Sequence, residues 1–373
     1  MANGLETHIL LQAQSVFQGA YAGKKVTPPG YLRYLLENSN NNIIQKGIDD
    51  GSGHIRDVKF RYKPRLKTGL SSTSDNCDID VIPSRLEATI PTTQHRKYAF
   101  QIPDDLISKY NKEASQLVSV GGEGTQTLKS VGMVMDEFWD TLMHFANGLI
   151  GDINIDLLAL KAASFGTNST TGTNAVKTVN FPLSTATNNL SQGMTMVMND
   201  AMANLFDLSN SVIIGGGLIN NYYLQQPAKS ADQSGLNTTQ LALPKYYYDP
   251  YTQTNWGANQ FGIFDKGTTQ LVIVKRYAGY KAGDRLTSIF GWFPLPVVDS
   301  LGNVIAYPLD FQIKYVDCPT QMPVGGVDTL VDRGYYIILS SSFAPFDIPA
   351  DAYMAGDAMF GNNGTLRYVA TNA

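Results

Sequence analysis

Between Leu128 and Leu149 the apolar residues Leu128, Val131, Met135, Phe138, Leu142, Phe145 and Leu149 recur at alternating intervals of three and four. An α-helix turns all of them to one face, because 3.6 residues complete a turn. Asp136, Glu137, Asp140, His144 and Asn147 fill the opposite side. The pattern predicts a helix over 126–150, about 37 Å long at 1.5 Å per residue. Gly148 and Gly151 weaken it, and Asp152 is placed to cap a continuation through Ile153–Ala163.

A second period lies upstream. In IRDVKFRYKPRLK (55–67), Lys59, Arg61, Lys63, Arg65 and Lys67 fall on every other position, with Phe60, Tyr62 and Leu66 between them. This is strand spacing, with one basic and one mostly apolar face. Pro64 forces an edge position or a bulge. A turn-rich TGLSSTSDN follows, then CDIDVI with Asp78 and Asp80 on one face. The two runs read as a long hairpin. Its thirteen-residue arm would reach about 40 Å, longer than a domain core uses.

Three partners for the basic ladder stay open. Within the hairpin, Lys67 can face Asp78 and Arg65 can face Asp80, each pair contributing about 0.2–1 kcal/mol. That register leaves Lys59, Arg61 and Lys63 without an internal acid, so they would meet an acidic surface on another subunit. Nucleic acid is the third partner, disfavoured by a net charge of −4.

The remaining segments are less periodic. Residues 1–50 read as an extended arm with a short helix at Tyr31–Leu36. A second amphipathic helix is expected at about 190–208, with Met194, Val197, Met198, Ala201, Met202, Leu205 and Leu208 on its apolar face. Val212–Ile214 reads as a buried strand, followed by Gly215, Gly216, Gly217 and a helical LINNYYLQQ. Residues 227–265, rich in Tyr, Asn, Gln, Pro and Gly, read as a long decorated loop region. Strands are expected at Gln270–Tyr277, Ser288–Phe293, Phe311–Val316 and Tyr335–Ser340.

Enzyme signatures are absent. His8, His54, His95 and His144 are dispersed, no Gly-x-Ser-x-Gly elbow occurs, and Asn220 breaks the phosphate-loop spacing after Gly215. No catalytic, cofactor-binding or metal-binding residue is assigned. Cys77 and Cys318 form neither a disulfide framework nor a zinc spacing. No run approaches the roughly 18 apolar residues of a membrane span. The first residues lack a basic region before their apolar stretch, which predicts no secretory signal.

Charged residues are only 16% of the 373, against about 25% in an ordinary domain. Either Asn, Gln, Ser, Thr and Tyr cover the surface, or much of it is buried in an assembly, a reading that 20 Tyr and 16 Phe fit. A β-rich virion-surface or glycan-binding protein is the alternative, motivated by YYYDPYTQTNW (246–256). A glycan hydrolase rests only on the acid count, since its two carboxylates need no local motif.

The order of these elements resembles the major capsid protein of tailed bacteriophages, a fold shared with encapsulin shells. KFRYKPRLK with CDIDVI is similar to that family's extended hairpin, and TLKSVGMVMDEFWDTLMHF to its spine helix. The stretch from NNLSQGMTM to LINNYYLQQ is similar to the axial unit, and DFQIKYVD and GYYIILSSSF to the strands that return. The resemblance implies an α+β capsid fold. Residues 1–50 would be the N-terminal arm and 51–103 the extended hairpin. Residues 104–187 with 320–373 would form the peripheral domain, and 188–319 the axial domain.

It further implies a structural, non-enzymatic protein that self-assembles into an icosahedral shell around phage DNA, or an encapsulin-like compartment. Its partners would be copies of itself in hexamers and pentamers, with scaffold, portal and decoration proteins, and packaged DNA on the inner face. Its place would be the virion capsid, assembled in the host bacterial cytoplasm, with no cofactor and no membrane. Lys59, Arg61, Lys63, Arg65 and Lys67 become inter-subunit contacts, and the apolar sides of arm and hairpin are expected to be covered by siblings. Phe138, Trp139 and Leu142 would anchor the spine helix.

Overall fold

The computed structural model describes residues 25–38, 43–49, 55–62, 86–91, 94–102, 124–168, 176–181, 190–221, 244–274, 288–316, 320–324, 327–331, 334–349 and 363–371. In chain order the elements are α1 (Gly30–Glu37), β1 (Ile43–Asp49), β2 (Ile55–Tyr62), β3 (Leu86–Pro91), β4 (Gln94–Gln101) and α2 (Gly124–Ser164). Then come β5 (Lys177–Asn180), α3 (Leu190–Ala203), β6 (Ser211–Gly215), β7 (Lys245–Tyr248) and a helical turn at Thr252–Asn255. The chain continues with β8 (Gln260–Asp265), β9 (Thr269–Val274), β10 (Ser288–Val298), β11 (Val304–Val316) and β12 (Thr320–Val324). It closes with β13 (Val327–Val331), β14 (Gly334–Asp347) and β15 (Thr365–Thr371). The class is α+β, as expected.

Three sheets form. The first has the order β1-β2-β3. The second runs β10-β11-β14-β4-β12-β13, with β9 added beside the far half of β14. The third is β5-β15-β8-β6-β7. The predicted strands at 270–277, 288–293, 311–316 and 335–340 fall in β9, β10, β11 and β14, apart from 275–277, which lie outside the described residues. Of these, β10, β11 and β14 run longer than expected.

The long helix is α2, and it does not stop at Gly148 or Gly151. A side chain at Gly148 would meet only open space, so that glycine sits on the solvent face. Ala146, Leu149, Ile150, Ile153, Leu157 and Leu158 are fully buried around it. Burying a leucine-sized side chain contributes about 1.5–3 kcal/mol. Each helical glycine costs about 1 kcal/mol, so packing outweighs propensity. Trp139 and Leu142 are also buried, as expected of anchors, whereas the Phe138 side chain lies outside the described residues.

The third sheet is covered on both faces. Val212, Ile214 and Phe264 point into the core shared with α1 and α2. Ile213, Phe261, Ile263, Leu366 and Tyr368 point to α3. Double coverage explains why β6 reads as an uninterrupted apolar run.

Helix α1 is a core element, not part of a free arm. Tyr31, Leu32, Tyr34 and Leu35 are buried. Pro29 at its N-cap offers no side-chain acceptor. Residues remote in sequence do so instead: Asp249 Oδ2 accepts from the Tyr31 N–H at 2.9 Å, and Asn154 Oδ1 from the Leu32 N–H at 2.9 Å. Asn154 Nδ2 also donates to Asp249 Oδ2 at 2.9 Å. Gly30 admits the close approach, since a Cβ there would lie 2.3 Å from the Tyr248 carbonyl oxygen.

The edge strand β10 carries its own protection. Val26 pairs with it in parallel: Val26 N–H donates to the Pro296 carbonyl, and Val298 N–H to the Val26 carbonyl. Even-numbered positions therefore face the open edge. Pro294 and Pro296 occupy two of them, where a missing N–H costs no ladder bond and offers a stray strand less to pair with.

Helix α3 ends in a Schellman turn. Leu205 N–H donates to the Met202 carbonyl and Phe206 N–H to the Ala201 carbonyl. Leu205 holds the left-handed position with φ 62°, which usually belongs to glycine because a Cβ is crowded there. Leu205→Gly is expected to stabilise the folded chain by about 1 kcal/mol, read as a raised denaturant midpoint. A lowered midpoint would show that the leucine side chain contributes more than its backbone costs.

Candidate functional site

The period-two reading of 55–62 holds where the structure describes it. Val58, Phe60 and Tyr62 are buried, Arg61 is exposed and Lys59 half-exposed. Lys63, Arg65, Lys67, Asp78 and Asp80 lie outside the described residues, as do the proposed hairpin tip and its internal register.

Two expectations change. Lys59 and Arg61 do have an internal acid. Arg61 sits opposite Glu87 of β3 in register and its Nε donates to Glu87 Oε1 at 2.5 Å, while Lys59 Nζ pairs with Glu87 Oε2. Hydrogen bonds from Lys59 and then Arg61 hold the Glu87 carboxyl below its ordinary pKa. A depressed carboxylate contributes at neutral pH, and its contribution fades as pH falls through its folded-state value. Two cations thus share one carboxylate.

Second, the apolar side of β2 is covered by its own chain. Phe60 stacks on Phe346 with ring centroids 4.3 Å apart and planes 7° apart, and Val272 and Ile348 complete the cluster. β2 is therefore clamped to the body through its apolar side, and Arg61 on the other side is presented outward. Glu87 was missed because its strand, LEATIP, is short. Its alternation of exposed Glu87 and Thr89 with partly buried Ala88 and Ile90 was the available signal.

Other sequence candidates resolve differently. Gly215 and Gly216 form a tight turn whose carbonyls both accept from the Tyr246 hydroxyl, at 2.8 and 2.7 Å. A Cβ on Gly215 would lie 2.8 Å from Phe261 Cβ. The glycines are there for close packing. His144 is exposed on α2 beside an open groove of about 450 Å³ where Lys25–Thr27 cross the helix. Among the described residues no three His, Cys, Asp or Glu side chains gather as a metal site, and no helix is long and apolar enough to cross a membrane.

Several buried and half-buried polar groups lie at the junctions between elements. Lys161 Nζ on α2 lies 2.9 Å from Asp347 Oδ2 at the end of β14. Asp200 of α3 accepts from Asn168 Nδ2 at 2.7 Å and the Tyr368 hydroxyl at 2.8 Å, and pairs with Lys177. Glu37 accepts from the Tyr247 hydroxyl, the Lys245 ammonium and both Ser300 donors. Each carboxylate joins strands and helices far apart in sequence. These are ties within the body, with no reacting group between them.

No family model and no curated protein matches the chain. Solved structures do. The "Cyanophage A-1(L) capsid asymmetric unit" aligns over 95% of this chain and 96% of its own, at 12% identity and a TM-score of 0.42. "The capsid of Myoviridae Phage XM1" aligns over 94% and 91%, at 11% identity and a TM-score of 0.35. A "virus-like particle from Pyrococcus furiosus" aligns over 91% and 96%, at 9% identity and a TM-score of 0.35.

Proposed function

We propose that this chain is the structural subunit of an icosahedral shell, a major capsid protein of the tailed-phage type. The observation that carries the reading is the order of elements. A charged strand whose root is clamped to the body is followed by a 41-residue helix. A helix–strand–helix unit (α3, β6 and the turn at 217–221) comes next, and then strands that return to two separate sheets. Low charge and several exposed large apolar side chains support burial in an assembly.

In this reading α2 and the seven-stranded sheet are the peripheral body, and the five-stranded sheet with α3 is the axial body. That division moves 288–316 to the peripheral body and 365–371 to the axial one. The subunit performs no catalysis. It binds copies of itself in pentamers and hexamers, in a virion built in the bacterial cytoplasm around DNA. Scaffold, portal and decoration proteins are its further partners. Stability of such a shell comes from many modest contacts repeated through closed symmetry.

Electron microscopy and light scattering of the expressed protein, alone and with the products of neighbouring genes, test this. The expected product is a closed particle many times the 40.7 kDa subunit. A monomer under every condition would overturn the reading. Within it, Lys59, Arg61, Lys63, Arg65 and Lys67 are inter-subunit contacts. Reversing charge with Arg61→Glu and Lys63→Glu should abolish particles while leaving the monomer folded, because an exposed ion pair contributes only about 0–1 kcal/mol to the fold. Normal particles from that variant would remove the ladder from the interface.

A further inference from the structure

Helix α1 lies against two sheet edges at once. The five-stranded sheet ends at β7, and the seven-stranded sheet at β10. Toward β7, the Tyr34 and Tyr247 rings meet with centroids 5.9 Å apart, and the Tyr31 N–H reaches Asp249, the residue after that strand. Toward β10, Val26 in the lead-in to the helix accepts from the Val298 N–H and donates to the Pro296 carbonyl. At the other end, Glu37 gathers both edges on one carboxylate. From β7, the Tyr247 hydroxyl donates to it at 2.6 Å and the Lys245 ammonium at 3.0 Å. From the turn after β10, the Ser300 N–H and hydroxyl donate at 2.5 and 2.7 Å. Asn38 Nδ2 adds a bond to the Thr269 carbonyl of β9 at 3.3 Å.

A second observation concerns α1 itself. It has eight residues, whereas a helix shorter than roughly 12–15 residues is marginal in water on its own. Its N-cap residue, Pro29, offers no side-chain acceptor, no acid stands in its first turn and no base in its last. The acceptors for Tyr31 N–H and Leu32 N–H come from Asp249 and Asn154, elsewhere in the body. Nothing within α1 therefore keeps it helical once it leaves its seat. Docking and helix formation are one event, so the segment has two states, a docked helix and a released coil.

We propose that residues 25–38 form a clasp that fastens the β7 edge to the β10 edge and that closes and opens as one unit. The two ends are coupled through the helix between them. Rupture at Glu37 unwinds the last turn, and what remains is too short to persist, so loss at one end reaches the other. The flanking chain supplies the handles. Residues before Lys25 lead directly into Val26, and β1 begins at Ile43, shortly after Glu37. A pull on either flank acts on the clasp first, so the two edges part while β6 and β14 stay in place. Such a clasp is a two-state element on which both flanks act, and that is the physical requirement for coupling between them. It would operate whether or not the chain forms a shell.

Hydrogen exchange on the full chain tests this, in the wild type and in Glu37→Ala. Three amides report on the clasp without touching Glu37: Tyr31 and Leu32 at the far end of α1, and Val298, which donates to the Val26 carbonyl. All three should exchange at least tenfold faster in the variant, by a common factor, while the amides of β6 and β14 keep their wild-type rates. Acceleration confined to Ser300 and the residues beside position 37 would make Glu37 a local tie and overturn the clasp. Acceleration of β6 and β14 by the same factor as α1 would show that α1 opens only with the whole body, and would overturn it too. So would unchanged rates throughout. Should Glu37→Ala fail to fold, Ser300→Ala removes a single hydroxyl donor from the β10 side. The same three amides should then accelerate together, by about threefold or more, and unchanged rates there would defeat the proposal.

Discussion

Lys161→Ala should lower the stability of the folded chain by about 3–5 kcal/mol, the usual loss when one half of a buried ion pair is removed. The Lys161 ammonium lies 2.9 Å from Asp347 Oδ2, and its side chain is 1% exposed. The rings of Phe165 and Phe264 stand 5.2 and 5.5 Å from it. Asp347 also accepts from the Ser164 and Thr269 hydroxyls, at 2.6 and 2.8 Å. The pair therefore sits where α2, β14 and β9 converge.

Burial pushes the Lys161 pKa down, and Asp347 only partly restores it. The folded chain thus holds this proton less tightly than the unfolded one. The contribution is greatest above the ordinary lysine value and is lost as pH falls through the folded-state value. The intact pair should therefore add little net stability, while half of it is expensive. Lys161→Met combined with Asp347→Leu should cost far less than either single alanine variant. Chemical unfolding midpoints at constant slope would measure all three. A shift below about 1 kcal/mol for Lys161→Ala would mean that water reaches Asp347 and that the pair is not the tie described.

The second large effect is expected at Asp249. Its carboxylate accepts from three buried or half-buried donors: Tyr31 N–H and Asn154 Nδ2 at 2.9 Å, and Tyr251 N–H at 3.0 Å. Asp249→Ala strands all three, at about 1–3 kcal/mol for each buried donor left unpaired. Helix α1 should then detach first, so limited proteolysis within 25–38 should accelerate before the rest of the body opens. Asp249→Asn restores an acceptor and should fall between the two.

Burial raises the Asp249 pKa, although its hydrogen bonds oppose the shift. Its pH-linked contribution is therefore full below the ordinary aspartate value and declines as pH climbs through the higher folded-state value. Asp249→Asn should remove that decline from the pH profile of stability. Equal proteolysis rates in wild type and Asp249→Ala would show that α1 is held by its aromatic packing alone, in particular Tyr34 on Phe264 and Tyr31 on Trp256.

What the sequence disclosed and what it hid divide along physical lines. Features written in local periodicity were legible: the stripe of α2 at Leu142, Phe145 and Leu149, the apolar side of α3 at Met194, Val197 and Ala201, and the alternation around Phe60. Met202 and Leu205 were expected on that apolar side and emerge exposed: Leu205 because the Schellman turn breaks helical geometry where the stripe was extrapolated, and Met202, still helical, because it falls at the margin of the arc that Met194, Val197 and Ala201 bury. Residues 227–265 were read as loop, yet 245–248 and 260–265 are strands. Both are short, and β8 is buried along nearly all its length, so neither shows the alternation that marks a half-exposed strand. The ties at Asp249, Asp347 and Glu37 link residues up to 263 positions apart. No short motif can announce such partners. The charged face was half legible: its cations were evident, but the carboxylate that gathers Lys59 and Arg61 waited for the register of β3.

The position of β15 has a consequence for how the molecule is made. This strand lies between β5 and β8, parallel to one and antiparallel to the other. Until synthesis passes residue 371, β5 and β8 both lack the strand that joins them, and the buried ring of Tyr368 is missing from beneath α3. The two apolar faces of this sheet therefore cannot both be closed in a partial chain, and the half of the molecule around α3 completes its core only when β15 arrives.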